Sequence, residues 1–131
     1  MNYTAVRIED LPRIWDDFSH FIEDSLKYSN GAWHIEDVEK KLFSGDAVLW
    51  IAYNGSPRAA GVTWIEDFPR MRDLNMAFAG GDMQSIKGLV EMGKKYAKTY
   101  GCDGLRCYGR RGWSKALDGF TEISTISRLE L

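Results

Sequence analysis

A hairpin near the middle of the sequence constrains the fold more than any other feature. An almost continuous apolar run from Ala47 to Tyr53 is followed at once by Asn54-Gly55-Ser56-Pro57, and then by a second strand-like stretch from Ala59 to Ile65. Asn-Gly is favoured in the tight turns that join two antiparallel strands. A run with so few polar residues is typical of a strand buried on both faces. The sequence therefore predicts a buried antiparallel pair of strands, which fits a sheet flanked by helices.

The segments on either side of this hairpin predict a mixed α/β protein. Apolar residues at steps of three and four predict amphipathic helices, and alternating or β-branched stretches predict the remaining strands. In chain order, the elements are a strand at 4–8, helices at 11–26 and 35–43, the two hairpin strands, a strand at 73–79, a helix at 83–100, a strand at 104–109, a short helix at 112–117 and a last strand at 122–131.

The resulting order, β-α-α-β-β-β-α-β-α-β, predicts a central, mixed and mostly antiparallel sheet flanked by helices. The helix from Met83 to Tyr100 connects two strands that should be parallel neighbours, because a crossover helix returns the chain to run in the same direction. A chain of 131 residues has room for one such core and not for two. We therefore expect a single domain that spans residues 1–131.

Composition and charge exclude several classes of protein. Hydrophobic residues make up 44% of the chain, charged residues make up 27%, and the formal net charge is −2, which is the balance of an ordinary globular protein. The basic residues are too dispersed to predict a nucleic-acid-binding surface. No stretch approaches the roughly 18 apolar residues that span a membrane, and the N-terminus lacks the pattern of a signal peptide. We therefore expect a cytoplasmic protein, or one in a particle assembled in the cytoplasm, with no nucleic-acid or membrane partner.

The sequence predicts no metal site. Its two cysteines, Cys102 and Cys107, have no histidine near them in sequence and do not form a zinc-binding pattern. Neither His20 nor His34 has a serine or cysteine partner at a spacing that indicates a hydrolytic triad. We interpret both cysteines as reduced thiols in or beside a strand, where free cysteine packs as a small hydrophobe.

The element order resembles that of the GNAT N-acyltransferase superfamily over almost the whole chain. The segment Val6-Arg7-Ile8-Glu9-Asp10-Leu11-Pro12 is similar to the family's first strand running into its first helix. The Asn54-Gly55 hairpin resembles the turn between its second and third strands, and Leu105 to Gly109 with the later Gly119-Phe120 resembles its late strand and helix. The resemblance implies transfer of an acyl group from an acyl-CoA, typically acetyl-CoA, to an amine acceptor. It also leaves a homodimer open.

The family's coenzyme-binding motif is Arg or Gln, two residues, Gly, one residue, then Gly or Ala, just after the fourth strand. Glycines there let the backbone approach the pyrophosphate, and free N–H groups at the helix start point at it. In this chain the three motif positions fall on Gly81, Gln84 and Ile86, which do not match. The resemblance then implies a candidate cofactor-binding set from the strand, the loop and the helix: Met76, Phe78, Gly80, Gly81, Gln84, Ser85, Ile86, Lys87 and Gly88.

Two interpretations of this loop stay open. In the first, Gly80 and Gly81 form a shifted loop, and the amides of Gln84 to Gly88 still hold a phosphate. In the second, the cofactor site is lost and only the scaffold is kept. A glutamine side chain where the backbone must come close, and the branched bulk of Ile86 at the next position, favour loss or weakening of coenzyme A binding.

Acyl transfer to an amine needs few groups from the protein. These are a base that accepts the amine proton, an acid near the departing thiolate and backbone donors for the thioester carbonyl. The resemblance places the acid in the late helix, where this chain has Lys115, so the nearest tyrosine, Tyr108, is the candidate acid. Glu66, Asp67 and Asp73 lie near facing ends of the third and fourth strands, and we select Glu66 and Asp73 as candidate bases. Such carboxylates also occur as solvated turn residues, and a strand-end tyrosine also occurs in cores.

Gly109-Arg110-Arg111-Gly112-Trp113 is the most unusual segment of the chain. Two glycines around two arginines predict a flexible turn with positive charge at a helix start, which suits a phosphate or a carboxylate. Arg110 and Arg111 are therefore candidate anion-binding residues, although they could instead pair with surface acids such as Asp118. The segment also resembles a Gly-Arg-x-Gly-Trp element in GNAT-like proteins encoded by bacteriophages, including a family linked to internal virion proteins. The alternatives to an enzyme are thus an inactive GNAT-like phage component with virion or host partners, and a small anion-binding module.

Overall fold

A five-stranded sheet forms the centre of the computed structural model, which describes residues 1–108 and 113–131 without the side chains of residues 113 and 114. The strands are β1 (Asn2–Val6), β2 (Val48–Tyr53), β3 (Pro57–Asp67), β4 (Arg72–Gly81) and β5 (Gly104–Cys107). They lie side by side in chain order. Neighbours from β1 to β4 are antiparallel, whereas β4 and β5 are parallel. The predicted mixed and mostly antiparallel sheet is therefore confirmed.

Helices cover both faces of this sheet. They are α1 (Leu11–Ser25), α2 (Ile35–Phe43), α3 (Met83–Thr99) and α4 (Trp113–Ala116), with 3₁₀ turns at Ile8–Asp10 and Leu26–Ser29. Successive side chains of a strand point to opposite faces. In β2, Leu49 and Ile51 accordingly pack with α1 and α2, while Trp50 and Ala52 pack with α3. The continuous apolar run of this strand is thus explained by burial on both sides.

The first helix is held to the sheet by its apolar stripe and to the second helix by a hydrogen bond. The buried residues of α1 are Leu11, Trp15, Phe18 and Ile22, at steps of three and four. The indole Nε1 of Trp15 donates to Glu39 of α2 at 3.0 Å. This packing fixes the end of α1 against the sheet, where it forms one wall of the site described below.

A bulge redirects β4 near its middle. Thr63 of β3 pairs with Met76, and Val62 pairs with Phe78, so Ala77 has no partner on β3. An extra residue of this kind bends a strand and increases its twist. The second half of β4, from Ala77 to Gly81, is therefore bent relative to the first half.

The predicted last strand at 122–131 is wrong. Residues 121–131 are exposed and form neither helix nor strand. Ile123, Ile126 and Leu129 are spaced by three residues and are 71%, 82% and 82% exposed. Because strand side chains alternate with a period of two, this spacing cannot place all three on one buried face. The predicted first strand also ends earlier, at Val6, since a 3₁₀ turn begins at Ile8.

Candidate functional site

A cleft opens where β5 ends and β4 continues. The two strands pair over only four residues each, up to Met76 and Cys107, whereas β4 runs on to Gly81 and stays paired with β3 on its other side. From Ala77 to Gly81, the edge of β4 that faces away from β3 therefore has no neighbouring strand among the described residues. A cleft of about 160 Å³ lies along this open edge.

The end of α1 forms the opposite wall of the cleft. The lining residues are Asp24, Ser25, Lys27 and Tyr28 from α1 and the turn after it, Met76 to Gly81 from β4, and Ile86, Cys107 and Tyr108. The two walls meet at Gly80, because a Cβ there would collide with the backbone carbonyl of Phe21 in α1. The site is thus built from segments that are far apart in sequence.

Glu66 contacts Tyr108, which lines the cleft, although Glu66 itself does not line it. Tyr108 lines the cleft and is 48% exposed, and its hydroxyl donates to Oε2 of Glu66 over a long contact of 3.5 Å. The other oxygen, Oε1, accepts from Trp64 Nε1 at 3.2 Å and from Asn75 Nδ2 at 2.9 Å. These two donors hold the carboxylate so that its second oxygen faces Tyr108. Two of the three predicted catalytic residues are therefore neighbours.

Asp73 lies directly across from Glu66 on the neighbouring strand and is engaged in an ion pair. Its Oδ2 accepts from Nε of Arg106 at 3.1 Å, and the two side chains are only 11% and 21% exposed. The guanidinium of Arg106 also lies 4.3 Å from the ring centre of Phe68. Of the two carboxylates, Asp73 is held by a guanidinium, whereas Glu66 contacts Tyr108, a residue that lines the cleft. Glu66 is therefore the better placed of the two candidate bases, and the role of Asp73 stays a prediction.

The start of α3 is closed by a carboxylate of the chain itself. Asp82, the residue before α3, accepts from the backbone N–H of Ser85 at 2.8 Å and from its hydroxyl at 2.9 Å, which is the arrangement of a helix N-cap. Arg58 Nε lies 3.3 Å from the same carboxylate. The Ser85 backbone N–H, and then its hydroxyl, hold the pKa of Asp82 below its usual value. Asp82 is therefore ionised at neutral pH, and its charge lies at the positive end of the helix dipole.

The glycines near this helix start are required by the packing of the chain. Gly81 has a φ of +123°, and a Cβ there would collide with the Arg58 carbonyl and with Ala59 of β3. A Cβ on Gly88 would collide with the ring of Tyr3 in β1. Contacts within the protein thus account for both glycines without a cofactor.

The predicted cofactor-binding residues are not gathered around one site. Five of them line the cleft, namely Met76, Phe78, Gly80, Gly81 and Ile86. Three lie on α3 in a separate depression beside Tyr3 and Leu117, namely Gln84, Lys87 and Gly88. The remaining residue, Ser85, is fully buried and bonded to Asp82. The predicted residues of β4 and Ile86 of α3 therefore line the cleft, and the other predicted residues of α3 do not.

Cys107 lines the cleft but is a weak nucleophile. Burial raises the pKa of its thiol to about 11, so nearly all of it is protonated at neutral pH. Because the thiolate rather than the thiol is the attacking species, Cys107 is poorly suited to act as a nucleophile near neutral pH.

Sequence reasoning missed the wall contributed by α1. Asp24 and Lys27 line the cleft, yet no local motif marks them, since their place depends on where the end of α1 packs.

The N-cap residue Asp82 was also not predicted, although the sequence carries a signal for it. An acidic residue three positions before Ser85, at the start of an apolar helical pattern, is a visible N-cap signal.

Arg110 and Arg111, the predicted anion-binding residues, lie outside the described part of the chain.

Within residues 1–108 and 113–131, no cluster of three or more His, Cys, Asp or Glu side chains is arranged to hold a metal ion. In those same ranges, no helix is long and apolar enough to cross a bilayer.

The architecture is shared with solved acetyltransferases. A protein described as a probable acetyltransferase matches with a TM-score of 0.71 at 13% identity, over 100% of this chain and 97% of that one. An aminoglycoside acetyltransferase from an uncultured soil metagenomic sample, solved with sisomicin, matches at 0.69 and 12% identity, over 99% and 94%. A predicted acetyltransferase from Clostridium acetobutylicum, solved with acetyl-CoA, matches at 0.65 and 15% identity, over 98% and 95%. The chain has the GNAT acetyltransferase fold.

No protein-family model and no curated protein matches the sequence. The GNAT fold is therefore established by the three-dimensional structure. At these identities the fold alone is shared, and function has to be argued from the residues of the site.

Proposed function

We propose that this GNAT-fold protein is an N-acyltransferase that takes its acyl group from a thioester and has weakened binding of complete coenzyme A. The observation that carries the proposal is the open edge of β4 from Ala77 to Gly81, which shares a cleft with Tyr108, the hydrogen-bond partner of Glu66. A free strand edge presents N–H and C=O groups that bind an extended, amide-containing ligand as an added strand. The pantetheine arm of coenzyme A is such a ligand. The acetyl-CoA bound to the neighbour from Clostridium acetobutylicum supports the proposal.

The proposed reaction forms an amide. The nitrogen of an amine acceptor attacks the thioester carbonyl, the C–N bond forms, the C–S bond breaks and a thiol leaves. Glu66 accepts the amine proton, and Tyr108 donates a proton to the departing sulfur. The Tyr108–Glu66 contact then lets Glu66 return a proton to Tyr108. One proton has moved from amine to thiol, so atoms and charges balance, and backbone donors of β4 hold the carbonyl oxygen.

Coenzyme A fits this site only in part. When bound, it would supply the activated acyl group as a thioester, and the open edge of β4 in the cleft would bind the amide groups of the arm that carries this group. Its diphosphate would meet Asp82, which caps α3 and carries a negative charge. The residues present thus fit the pantetheine arm and not the diphosphate, which supports weakened binding of complete coenzyme A.

A catalytically inactive GNAT-like protein is the alternative function, and one observation favours it. The self-capped start of α3 is what a scaffold would show after losing its coenzyme. In that case the exposed apolar side chains of the C-terminal segment, at Ile123, Ile126 and Leu129, offer contacts to a protein partner. For this alternative we propose a phage-encoded component in the host cytoplasm or the virion, as the Gly-Arg-x-Gly-Trp resemblance implies. A homodimer is compatible with either function.

Thermal unfolding with and without a thioester separates the two functions. A ligand at about 100 times its Kd adds about 2.7 kcal/mol to the free energy of unfolding, which raises the Tm of a small protein by several degrees. We expect S-acetylpantetheine at millimolar concentration to raise the Tm, and a panel of primary amines to include acceptors that become acetylated. If no acetyl thioester changes the Tm, the enzyme is excluded and the inactive scaffold is favoured.

Glu66→Gln is the matched control for catalysis. Glutamine keeps the size of the side chain and still accepts hydrogen bonds from Trp64 and Asn75, but it cannot take the amine proton. We expect the donor to raise the Tm of this variant as it does in the wild type, while the transfer rate falls by about 10²-fold or more. A variant with an unchanged rate would show that Glu66 is not the base.

A further inference from the structure

We propose that the acyl donor is recognised through its acyl-pantetheine arm alone, and that a donor without a diphosphate serves as well as acyl-CoA. This inference rests on the proposed acyltransferase function and names the class of donor that the cleft takes. Two separate features of the region around the start of α3 support it, namely the charge of Asp82 and the packing of the glycines.

Asp82 occupies the place where a helix start would otherwise bind an anion. The positive end of a helix and its free N–H groups attract phosphates. Here the Ser85 N–H is taken by Asp82 at 2.8 Å, and the Ser85 side chain is fully buried. Arg58 lies 3.3 Å from the same carboxylate and is already paired with it, while Lys87 lies in the separate depression beside Tyr3. A diphosphate at the start of α3 would therefore face an ionised carboxylate whose cation is engaged.

The glycines around the start of α3 are used for packing within the chain. At three glycines between residues 80 and 88, even a Cβ would collide with a neighbour from another element. The contacts are those of Gly80 with Phe21, Gly81 with Ala59, and Gly88 with Tyr3. The close approach that glycine permits is thus already used inside the protein, so these glycines need no phosphate ligand to explain them.

The thioester half of the donor does have a place to bind. The open edge of β4, from Ala77 to Gly81, corresponds to about 17 Å of extended backbone. Met76 and Phe78 contribute apolar surface to the cleft, and the protonated thiol of Cys107 adds no charge. An uncharged, extended arm with two amide groups suits such an edge. In the transfer step the C–N bond forms, the C–S bond breaks, and the amine proton ends on the leaving thiol.

Direct binding of two donors to the full chain tests this inference. Isothermal titration calorimetry with S-acetylpantetheine and with acetyl-CoA compares the bare arm with the arm that carries the nucleotide diphosphate. We expect acetyl-CoA to bind no more than about threefold tighter than S-acetylpantetheine, a difference below about 0.7 kcal/mol. A larger advantage for acetyl-CoA would overturn the inference and leave the acyltransferase function standing. Binding of neither thioester would overturn the acyltransferase function, and this inference with it.

The salt dependence of acetyl-CoA binding provides a second measurement. Its sign differs between a site that repels the diphosphate and a site that binds it. Raising NaCl from about 50 to about 500 mM should tighten the binding of acetyl-CoA, because salt screens the repulsion between its diphosphate and Asp82. It should leave S-acetylpantetheine unchanged. Acetyl-CoA that binds more weakly at high salt would indicate favourable phosphate contacts and would overturn the inference.

Asp82→Asn removes the charge and keeps an N-cap of similar strength, so the variant should fold. We expect it to bind acetyl-CoA about three- to tenfold tighter than the wild type does, with the Kd of S-acetylpantetheine unchanged. If acetyl-CoA gains nothing from Asp82→Asn, the carboxylate does not repel the diphosphate, and the inference fails.

Discussion

Asn75 donates a hydrogen bond of 2.9 Å from its Nδ2 to Oε1 of Glu66, while the amide oxygen of Asn75 has no partner among the described residues. Asn75 is 1% exposed, and its Oδ1 makes no hydrogen bond within the described part of the chain. A buried acceptor without a partner costs about 1–3 kcal/mol, so stability alone would favour an apolar residue here. The hydrogen bond to Glu66 supplies a reason for the amide, because it would position the proposed base.

Replacing Asn75 with leucine tests this relationship. Leucine is similar in size and removes the unpaired Oδ1 and the bond to Glu66 together, so the free energy of unfolding should change by less than about 1 kcal/mol. The rate of acyl transfer should fall about tenfold, because Glu66 keeps only Trp64 as a fixed donor. Urea denaturation and steady-state kinetics measure the two effects. A stable variant with full activity would show that Asn75 does not position Glu66.

Cys107 gives a prediction with a defined pH range. Burial raises the pKa of its thiol from the ordinary 9.0 to about 11, so in a Cys102→Ser background its alkylation by iodoacetamide should be slow at neutral pH and rise toward pH 11. The folded thiol holds its proton more tightly than the unfolded one. Its contribution to stability is therefore full below about pH 9 and is lost as the pH rises through about 11. Fast alkylation near neutral pH would contradict the burial of this thiol.

The proposed transfer of the acyl group directly to the amine can be tested by replacing Cys107. Cys107→Ala should keep the transfer rate within about threefold, because no acyl-cysteine is formed on the pathway. Intact-protein mass spectrometry after mixing with the donor alone should show no acylated enzyme. A stable acyl group on Cys107 that an amine then removes would favour a two-step mechanism.

Asp73→Ala should destabilise the protein and spare the chemistry. It leaves the guanidinium of Arg106, whose side chain is 21% exposed, without its carboxylate partner, and losing a part-buried hydrogen bond between charged groups costs about 1.5–3 kcal/mol. Urea denaturation measures that loss, and removal of both charges with Asp73→Leu and Arg106→Leu should recover part of it. The transfer rate per folded molecule should stay within about twofold of the wild type. A loss of about 10²-fold in a folded variant would restore Asp73 as the base.

The sheet was predictable because its strongest signals are local. The apolar run from Ala47 to Tyr53 forms β2, and the turn after it has Gly55 at a φ of +73°, a conformation that glycine adopts without strain. The segment 122–131 carries only a weak alternation. Such a segment becomes a strand only if it pairs with the edge of a sheet, and its own sequence does not indicate whether it does.

The site was predictable on one side only. Met76, Phe78 and the glycines after them could be placed through the family motif, since they form the end of β4. The opposite wall depends on the meeting of Phe21 with Gly80, which are far apart along the chain. Glu66 and Asp73 were indistinguishable as carboxylates near strand ends. Only the folded chain brings Arg106, 33 residues away, against Asp73.

Asp24 lies on the α1 wall of the cleft, and its carboxylate leads us to expect a positively charged acceptor. It faces the cleft beside the open edge of β4 and makes no ion pair among the residues that the structure describes. A carboxylate in that position attracts the second ammonium group of a diamine while the first amine reacts. Lys27, three residues later, lines the same cleft and opposes this attraction. The two residues therefore form a matched pair for a charge test.

For a diamine acceptor, Asp24→Asn should raise the KM about tenfold, because the attraction to the distant ammonium group is lost, and should change kcat by less than about twofold. Lys27→Met should lower the same KM, because it removes the opposing charge. For a monoamine of similar length, neither variant should shift the KM by more than about twofold, which separates an electrostatic effect from a change in the shape of the cleft. Steady-state kinetics at low ionic strength, where exposed charges act most strongly, give the clearest measurement. Equal effects of Asp24→Asn on diamine and monoamine would show that Asp24 shapes the α1 wall without selecting charge.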